Sequence, residues 1–383
     1  MIIAYIYPQY AHLAGTERVL IDKMNYLADN AGVEVFMITY EQGTHPIAYP
    51  LSPKVRHIDL DVRFYILYKR NCFIRLCKWN VFSRLLKKRF NQIIAEIKPD
   101  IVVTTTFHGI IMSMIASCPY KFSKVLESHI DKRFVHNNDP VNLRNWTTRL
   151  RSIYDMYVLN RVSCNFDVVV SLNNRDADDW SKKMRSIVIP NIVHLNNTGR
   201  YSKLDSKRVI FVGRYNFQKG IPDLFKVWKL VFKKHPDWNL DLYGDGDVQS
   251  IPYTDCERLS MNIHVHKPNK DILERYIESS ILVVTSLYEP FGLVMPEAMS
   301  CGLPVVAFDC PSGPANIITD GVDGFLVKDR NIGMFAEKVC QLIDSYDLRA
   351  SMGRAAICSS QRYSAENIMD MWLGLFNELL SAS

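Results

Sequence analysis

Short runs rich in β-branched and aromatic residues alternate with stretches of helical periodicity along almost the whole chain, and this alternation admits few folds. Strands are expected near residues 2–7, 33–39, 55–59, 101–105, 125–127 and 168–172, with helices between most of them. The pattern lapses into a polar stretch around residues 191–206, where Asn196, Asn197, Thr198, Gly199 and Arg200 follow one another. It resumes with strands near residues 208–212, 239–243, 263–265, 281–285, 304–308 and 324–327. Each half reads as a doubly wound parallel α/β sheet. At 383 residues the chain is too long for one hydrophobic core, and two domains are expected. We place an N-terminal domain at residues 1–195, a C-terminal domain at 196–363, and a last helix at 364–383, whose stripe of Trp372, Leu375 and Phe376 would cross back onto the first domain. Two such Rossmann-like sheets facing across a cleft would bring the carboxyl ends of their strands together, where ligands of these sheets bind.

Apolar residues make up 48% of the chain and charged residues 22%, which is a globular composition. The nine cysteines include no C-x-x-C pair and no histidine at zinc-ligand spacing, so they read as buried thiols of a reducing compartment. Residues 1–10 lack a basic leader and break at Pro8, as a first buried strand would. No run approaches the roughly 20 apolar residues of a membrane span. The expected location is cytoplasmic, peripheral at the inner face of the membrane.

The net charge of +6 is unevenly spread. Between Arg63 and Arg89 stand nine basic residues and no acidic one: Arg63, Lys69, Arg70, Arg75, Lys78, Arg84, Lys87, Lys88 and Arg89. Tyr65, Tyr68, Phe73, Trp79 and Phe82 are interleaved with them. A solvated helix face is one reading, since Leu86, Phe90, Ile93 and Ile97 would pack inward. An anionic membrane surface is the other, each nearby cation contributing about 1 kcal/mol. No nucleic-acid-binding motif accompanies the patch.

Two motifs carry chemistry. Gly213-Arg214-Tyr215-Asn216-Phe217-Gln218-Lys219-Gly220 follows a strand and precedes a helix, with Pro222 in its first turn and Leu224, Val227 and Val231 as its apolar stripe. Two cations at a strand-to-helix turn suit a diphosphate clamp, against the plainer reading of surface charges. The second motif, Glu289-Pro290-Phe291-Gly292-Leu293-Val294-Met295-Pro296-Glu297, follows the strand at 281–285. Gly292 allows close backbone approach, and a helix starting near Leu293 would aim free N–H groups at an anion. On one helix the two glutamates would stand about 12 Å apart. Glu289 is therefore expected on the loop and Glu297 on the helix, touching different parts of an extended ligand. The spacing argues against a glycoside-hydrolase pair, whose carboxylates sit roughly 5 to 9.5 Å apart.

This E-x7-E element, preceded by GRYNFQKG and followed by PSGPANIITDGVDGFLV, resembles the family 4 retaining glycosyltransferases of the GT-B fold, closest to those that build bacterial exopolysaccharide, capsule or lipopolysaccharide. The resemblance is strongest from about Arg208 to Val327. It implies that Arg214 and Lys219 bind the donor diphosphate, Glu297 the ribose hydroxyls and Glu289 the transferred sugar. The backbone of Phe291, Gly292, Leu293 and Val294 would complete that site. Gly15 matches the family's N-domain glycine loop, with Ala14 where many relatives have a second glycine. His129, after the strand at 125–127, matches the N-domain histidine near the reacting sugar; His108 competes for that role. Asn316 stands where many relatives have Glu. Asp245-Gly246-Asp247 fits a glycine turn of the family, and no metal and no cofactor is expected.

The implied reaction moves a hexose or N-acetylhexosamine from a nucleotide-sugar, UDP preferred over GDP, to a saccharide acceptor, lipid-linked and at the membrane. Arg214, Lys219 and the helix end would stabilise the departing diphosphate, which accepts the acceptor's proton, while Glu289 holds sugar hydroxyls. The alternatives are a nucleotide-sugar epimerase, a phosphorylase, or an inactive sugar-nucleotide-binding protein on the same fold.

Overall fold

The computed structural model describes residues 1–12, 14–69, 72–106, 109–133, 156–246 and 251–382; His108 and Asp247 lie outside them. The chain divides into two compact units, Met1–Ile192 with Ile368–Ser383, and Val193–Asn367.

In the first unit the order is β1 (Ile2–Ile6), α1 (Gly15–Asp29), β2 (Glu34–Thr39), β3 (Arg56–Asp59), α2 (Cys72–Ile97), β4 (Ile101–Thr105), α3 (Gly109–Ala116) and β5 (Ser123–Ser128). A helix α4 over residues 156–163, β6 (Val168–Ser171), α5 (Asn174–Ser181) and β7 (Ser186–Val188) follow. The seven strands form one parallel sheet in the order β3-β2-β1-β4-β5-β6-β7. Its inner strands are buried along their length because helices cover both faces, which is why they read as continuous rather than alternating apolar runs. Leu86, Phe90 and Ile94 of α2 are buried against this sheet, as the helical spacing requires.

The second unit runs β8 (Arg208–Val212), α6 (Ile221–Lys234), β9 (Asn239–Tyr243), α7 (Asp255–Leu259), β10 (Ile263–His266), α8 (Ile272–Ile277), β11 (Ile281–Val284), α9 (Val294–Ser300), β12 (Val305–Asp309), α10 (Pro314–Ile317), β13 (Gly324–Lys328), α11 (Ile332–Asp344) and α12 (Tyr346–Ser360). Its six strands are parallel in the order β10-β9-β8-β11-β12-β13. Its core gathers the sheet residues Val209, Phe211, Leu242 and Val306 with Leu224 and Trp228 of α6 and Phe335 of α11. The last helix, α13 (Ala365–Ser381), returns to the first unit, where Glu378 pairs with Arg185 at 2.7 Å.

Both sheets reverse direction of growth at their centre, between β1 and β4 and between β8 and β11. At such a point the loops leaving two neighbouring strands diverge to opposite faces and leave a crevice at the strands' carboxyl ends. In the second unit the loops concerned are the one after β8 and the one after β11, which carry the two motifs singled out above.

Candidate active site

The loop after β8 is built tightly onto the loop after β11. The side-chain oxygen of Asn216 accepts the Lys219 N–H at 3.3 Å and caps a single 3₁₀ turn over Phe217–Lys219. Gly220 then takes a left-handed conformation, φ 64°, and starts α6. A Cβ there would lie 2.1 Å from the carbonyl oxygen of Thr285, so only glycine lets the two loops meet. Thr285 Oγ1 donates to the Lys219 carbonyl at 3.1 Å, and the Leu287 N–H donates to the Gln218 carbonyl at 2.7 Å.

This seam brings Lys219 and Glu289 together. Lys219 Nζ lies 2.5 Å from Glu289 Oε2, and Ser286 Oγ donates to the same oxygen at 3.1 Å. The side chains are 17% and 8% exposed, so the cation keeps an open side while the carboxylate is nearly enclosed. Glu289 is fixed through its backbone as well: its N–H donates to Pro311 at 3.2 Å and its carbonyl accepts from Gly313 at 2.5 Å. Gly292 has φ 90°, and a Cβ on it would come within 2.8 Å of Glu289 Cγ. The chain thus folds over the glutamate before α9 begins.

Glu297 sits in the first turn of α9 and is 5% exposed, and Glu289 on the loop before it, which is the division the spacing suggests. The Phe291 ring is buried edge-on to Tyr363 at 5.3 Å and anchors the loop; Gly292 is buried beside it, and Leu293 and Val294 are half-buried. Arg214 is exposed, and its side chain makes no hydrogen bond or ion pair to a described residue. Asn316 uses its amide locally, donating to the Ser312 carbonyl at 2.5 Å.

Sequence reasoning missed Arg330. Its guanidinium donates to the carbonyls of Thr285 at 3.1 Å and Ser286 at 2.6 Å, pairs with Asp223 at 3.0 Å, and stacks on Phe308 at 4.1 Å. It therefore holds the loop from which Ser286 and Glu289 project. A lone arginine in an Asp-Arg-Asn turn carries no signal that separates it from a surface charge.

Within the first unit, Gly15 is exposed and opens α1 after Ala14, which offers no side-chain cap. His129 is buried. Its Nε2 lies 2.8 Å from Glu127 Oε2, and the same oxygen is bonded by Lys23 Nζ. The three side chains are only 2–3% exposed. Burial alone would raise the pKa of Glu127, but the Lys23 charge and the hydrogen bonds from His129 and Lys23 outweigh it and leave the carboxyl below its ordinary value.

The basic stretch between Arg63 and Arg89 divides. Arg63 pairs with Asp61 at 2.8 Å, and Arg89 donates to the carbonyls of Leu60 and Asp61 at 2.5 and 2.8 Å, so these two are fastened to the chain itself. Trp79 and Phe82 pack on Phe64, at 4.7 and 5.8 Å between ring centres, and so do not intersperse the charges on an open face. Lys78, Arg84, Lys87 and Lys88 are exposed; Arg70 lies outside the described residues, as do the side chains of Lys69, Arg75, Tyr68 and Phe73.

Residues 199–357, which hold the whole Lys219–Glu289 seam, match the family described as Glycosyl transferases group 1. That stretch carries the group 1 pattern, and nearly the whole chain is similar to glycosyltransferases. It is 29% identical over 378 residues to the amylovoran biosynthesis glycosyltransferase AmsD of Erwinia amylovora, covering 95% of this chain and 96% of that protein. An uncharacterized glycosyltransferase of Haemophilus influenzae is 27% identical over 366 residues, 94% of this chain and 96% of its own length. A solved structure of S. aureus TarM in complex with fondaparinux, alpha-GlcNAc-glycerol and UDP superposes with a TM-score of 0.73 at 17% identity, covering 98% of this chain and 99% of that one. The two-sheet GT-B architecture of this chain is thereby that of a known fold.

Proposed function

We propose that this protein takes a hexose or N-acetylhexosamine from a nucleotide-sugar, UDP in preference to GDP, and adds it with retention of configuration to a saccharide acceptor in cell-surface polysaccharide assembly. The observation that carries the reading is the Lys219–Glu289 pair, a cation with one open side beside an enclosed carboxylate, at the crevice between β8 and β11. Lys219 turns from Glu289 to the diphosphate when the donor arrives. Arg214, exposed and without an ion pair among the described residues, meets the same phosphates, together with the N–H groups at the start of α9. Glu289, freed of its cation, holds hydroxyls of the transferred sugar, and Glu297 those of the ribose. Negative charge developing on the leaving diphosphate is thus met by groups already in place, and no metal ion is required. The leaving phosphate takes the acceptor's proton on the same face. Gly15 and His129 serve the donor phosphate and the reacting sugar from the first unit.

Several relatives support the cellular role and the donor. AmsD is named for amylovoran biosynthesis, and the TarM structure is of a complex with UDP and alpha-GlcNAc-glycerol, an α-glycoside, which a retaining transfer from an α-linked UDP-sugar would leave. The exposed Lys78, Arg84, Lys87 and Lys88 supply a reason to expect a lipid-linked acceptor at the inner face of the membrane. Among the described residues no helix is long and apolar enough to cross a membrane.

A panel of UDP- and GDP-sugars, read first by thermal shift and then by donor hydrolysis, tests the reading. Stabilisation by one nucleotide-sugar that Lys219→Ala removes is the expected result. Equal stabilisation of both proteins would overturn the assignment of Lys219. Conversion of the donor without acceptor or hydrolysis would favour the epimerase. Flotation with liposomes tests the membrane face, and indifference to anionic lipid would remove it.

A further inference from the structure

We infer that Lys23 and Glu127 are positioning residues which hold His129 as a neutral imidazole protonated on Nε2, with the Nδ1 edge left as its hydrogen-bond acceptor. The inference rests on the proposed role of His129 at the reacting sugar, but its geometry stands apart from that role.

A carboxylate only accepts hydrogen bonds, so the His129 nitrogen 2.8 Å from Glu127 Oε2 must be the one that carries the proton. Nδ1 makes no hydrogen bond to a described residue. The protonation state follows from charge balance. Glu127 comes from β5, in register with Thr105 of β4, and Lys23 from the middle of α1, and both side chains are sealed from water. Buried charges persist when they are paired. Lys23 supplies one positive charge against the one negative charge of Glu127, so a second cation on His129 would leave the cluster with an uncompensated charge. The lysine is held in place by the ring of Trp372, 4.3 Å away, and faces Tyr5 at 5.9 Å. Among the described residues, the other titratable groups turned toward the cluster are the hydroxyls of Tyr5 and Tyr10, whose pKa values are raised by burial first and by Glu127 as well, and Glu17 near Tyr10. The two hydroxyls carry no charge, and Glu17 accepts a hydrogen bond from the Tyr7 hydroxyl at 3.4 Å. The two buried hydroxyls have no hydrogen-bond partner among the described residues, which leaves Lys23 and His129 as the groups that bond Glu127.

A lysine that takes up the carboxylate's charge makes the histidine a fixed acceptor rather than a cation. That choice matters in a transfer where positive charge develops at the anomeric carbon, because an imidazolium beside that carbon would oppose it.

The test is a long-range ¹⁵N–¹H correlation spectrum of the full chain with ¹⁵N-labelled histidine at neutral pH, the His129 signals identified by their loss in His129→Gln. The expected pattern is a protonated Nε2 and a bare Nδ1. A protonated Nδ1, or two protonated nitrogens, in the unaltered protein overturns the inference with no variant needed. In Lys23→Met the remaining counter-charge for Glu127 among the described residues is His129, which is expected to become doubly protonated, with kcat at least about tenfold lower and KM for the donor little changed. An unchanged His129 signal in a folded Lys23→Met protein also overturns it. Should His129→Gln transfer sugar at the full rate, the proposed role of His129 fails while the tautomer result stands on the spectrum alone.

Discussion

Two Lys–Glu pairs of this protein are alike in their chemistry and differ in what surrounds them. Lys219 and Glu289 meet across a seam between two loops, and the lysine is 17% exposed; Lys23 and Glu127 meet inside the first unit, under Trp372, with 2–3% exposed. A cation that still reaches water can change partners at small cost. A sealed one cannot, because leaving its carboxylate strands a charge in a medium that solvates it poorly. The open pair suits a binding event and the sealed pair suits a fixed geometry.

Breaking the sealed pair gives the largest expected loss of stability. Lys23→Met should cost about 3–5 kcal/mol in chemical denaturation at neutral pH, and adding Glu127→Leu should recover most of it, since the penalty lies in a buried carboxylate that must draw its counter-charge from His129. A Lys23→Met protein destabilised by less than about 1 kcal/mol would erase the distinction between the pairs. Lys219→Ala should do the opposite, lowering kcat/KM for the donor about 10²–10³-fold while moving stability by less than about 1 kcal/mol. A third buried carboxyl sharpens the comparison. Burial pushes Asp176 up to about 6, against backbone and hydroxyl hydrogen bonds that pull it down and the nearby Asp131 that raises it further. Its native pKa exceeds the unfolded value of about 4, so the native state holds more protons between those limits. Stability should therefore fall as pH rises from about 4 to about 6 and stay level above. Asp176→Asn should flatten that slope, and an unaltered pH profile of the denaturation midpoint would refute it. Arg330→Lys, which cannot reach Thr285, Ser286 and Asp223 at once, should cost about 1–2 kcal/mol and blunt donor-induced stabilisation. The smallest effect belongs to Lys87→Ala and Lys88→Ala, each within about 0.5 kcal/mol in denaturation.

Much of the fold was legible because buried parallel strands read as β-branched runs: all six strands of the second unit lie within a residue or two of their expected places. β7 was not, since Ser-Ile-Val is three half-buried residues at a sheet edge and has no period to detect. Both glutamates and Lys219 could be named from spacing, but their meeting could not. It depends on β8 and β11 being neighbours, a fact of strand order that local sequence does not encode. Lys23 did leave a trace, as a lysine amid Val19, Leu20, Met24 and Leu27 on the buried side of α1. Arg63 and Arg89 misled for the converse reason, because a guanidinium satisfied by backbone carbonyls or a neighbouring aspartate looks, in sequence, like a solvated charge.

The return of α13 sets an order of assembly. Ile368, Met369, Trp372, Leu375 and Phe376 are buried, and Trp372 covers Lys23, yet α13 is synthesised after every strand of the second unit. On the ribosome the second unit, continuous from Val193 to Asn367, has all its parts before the first unit has its last. Until then the first unit waits with Lys23 uncovered by the Trp372 ring, and a fragment ending at Ile192 would be left in that condition. The half of the molecule that is made first is therefore the half that is finished last.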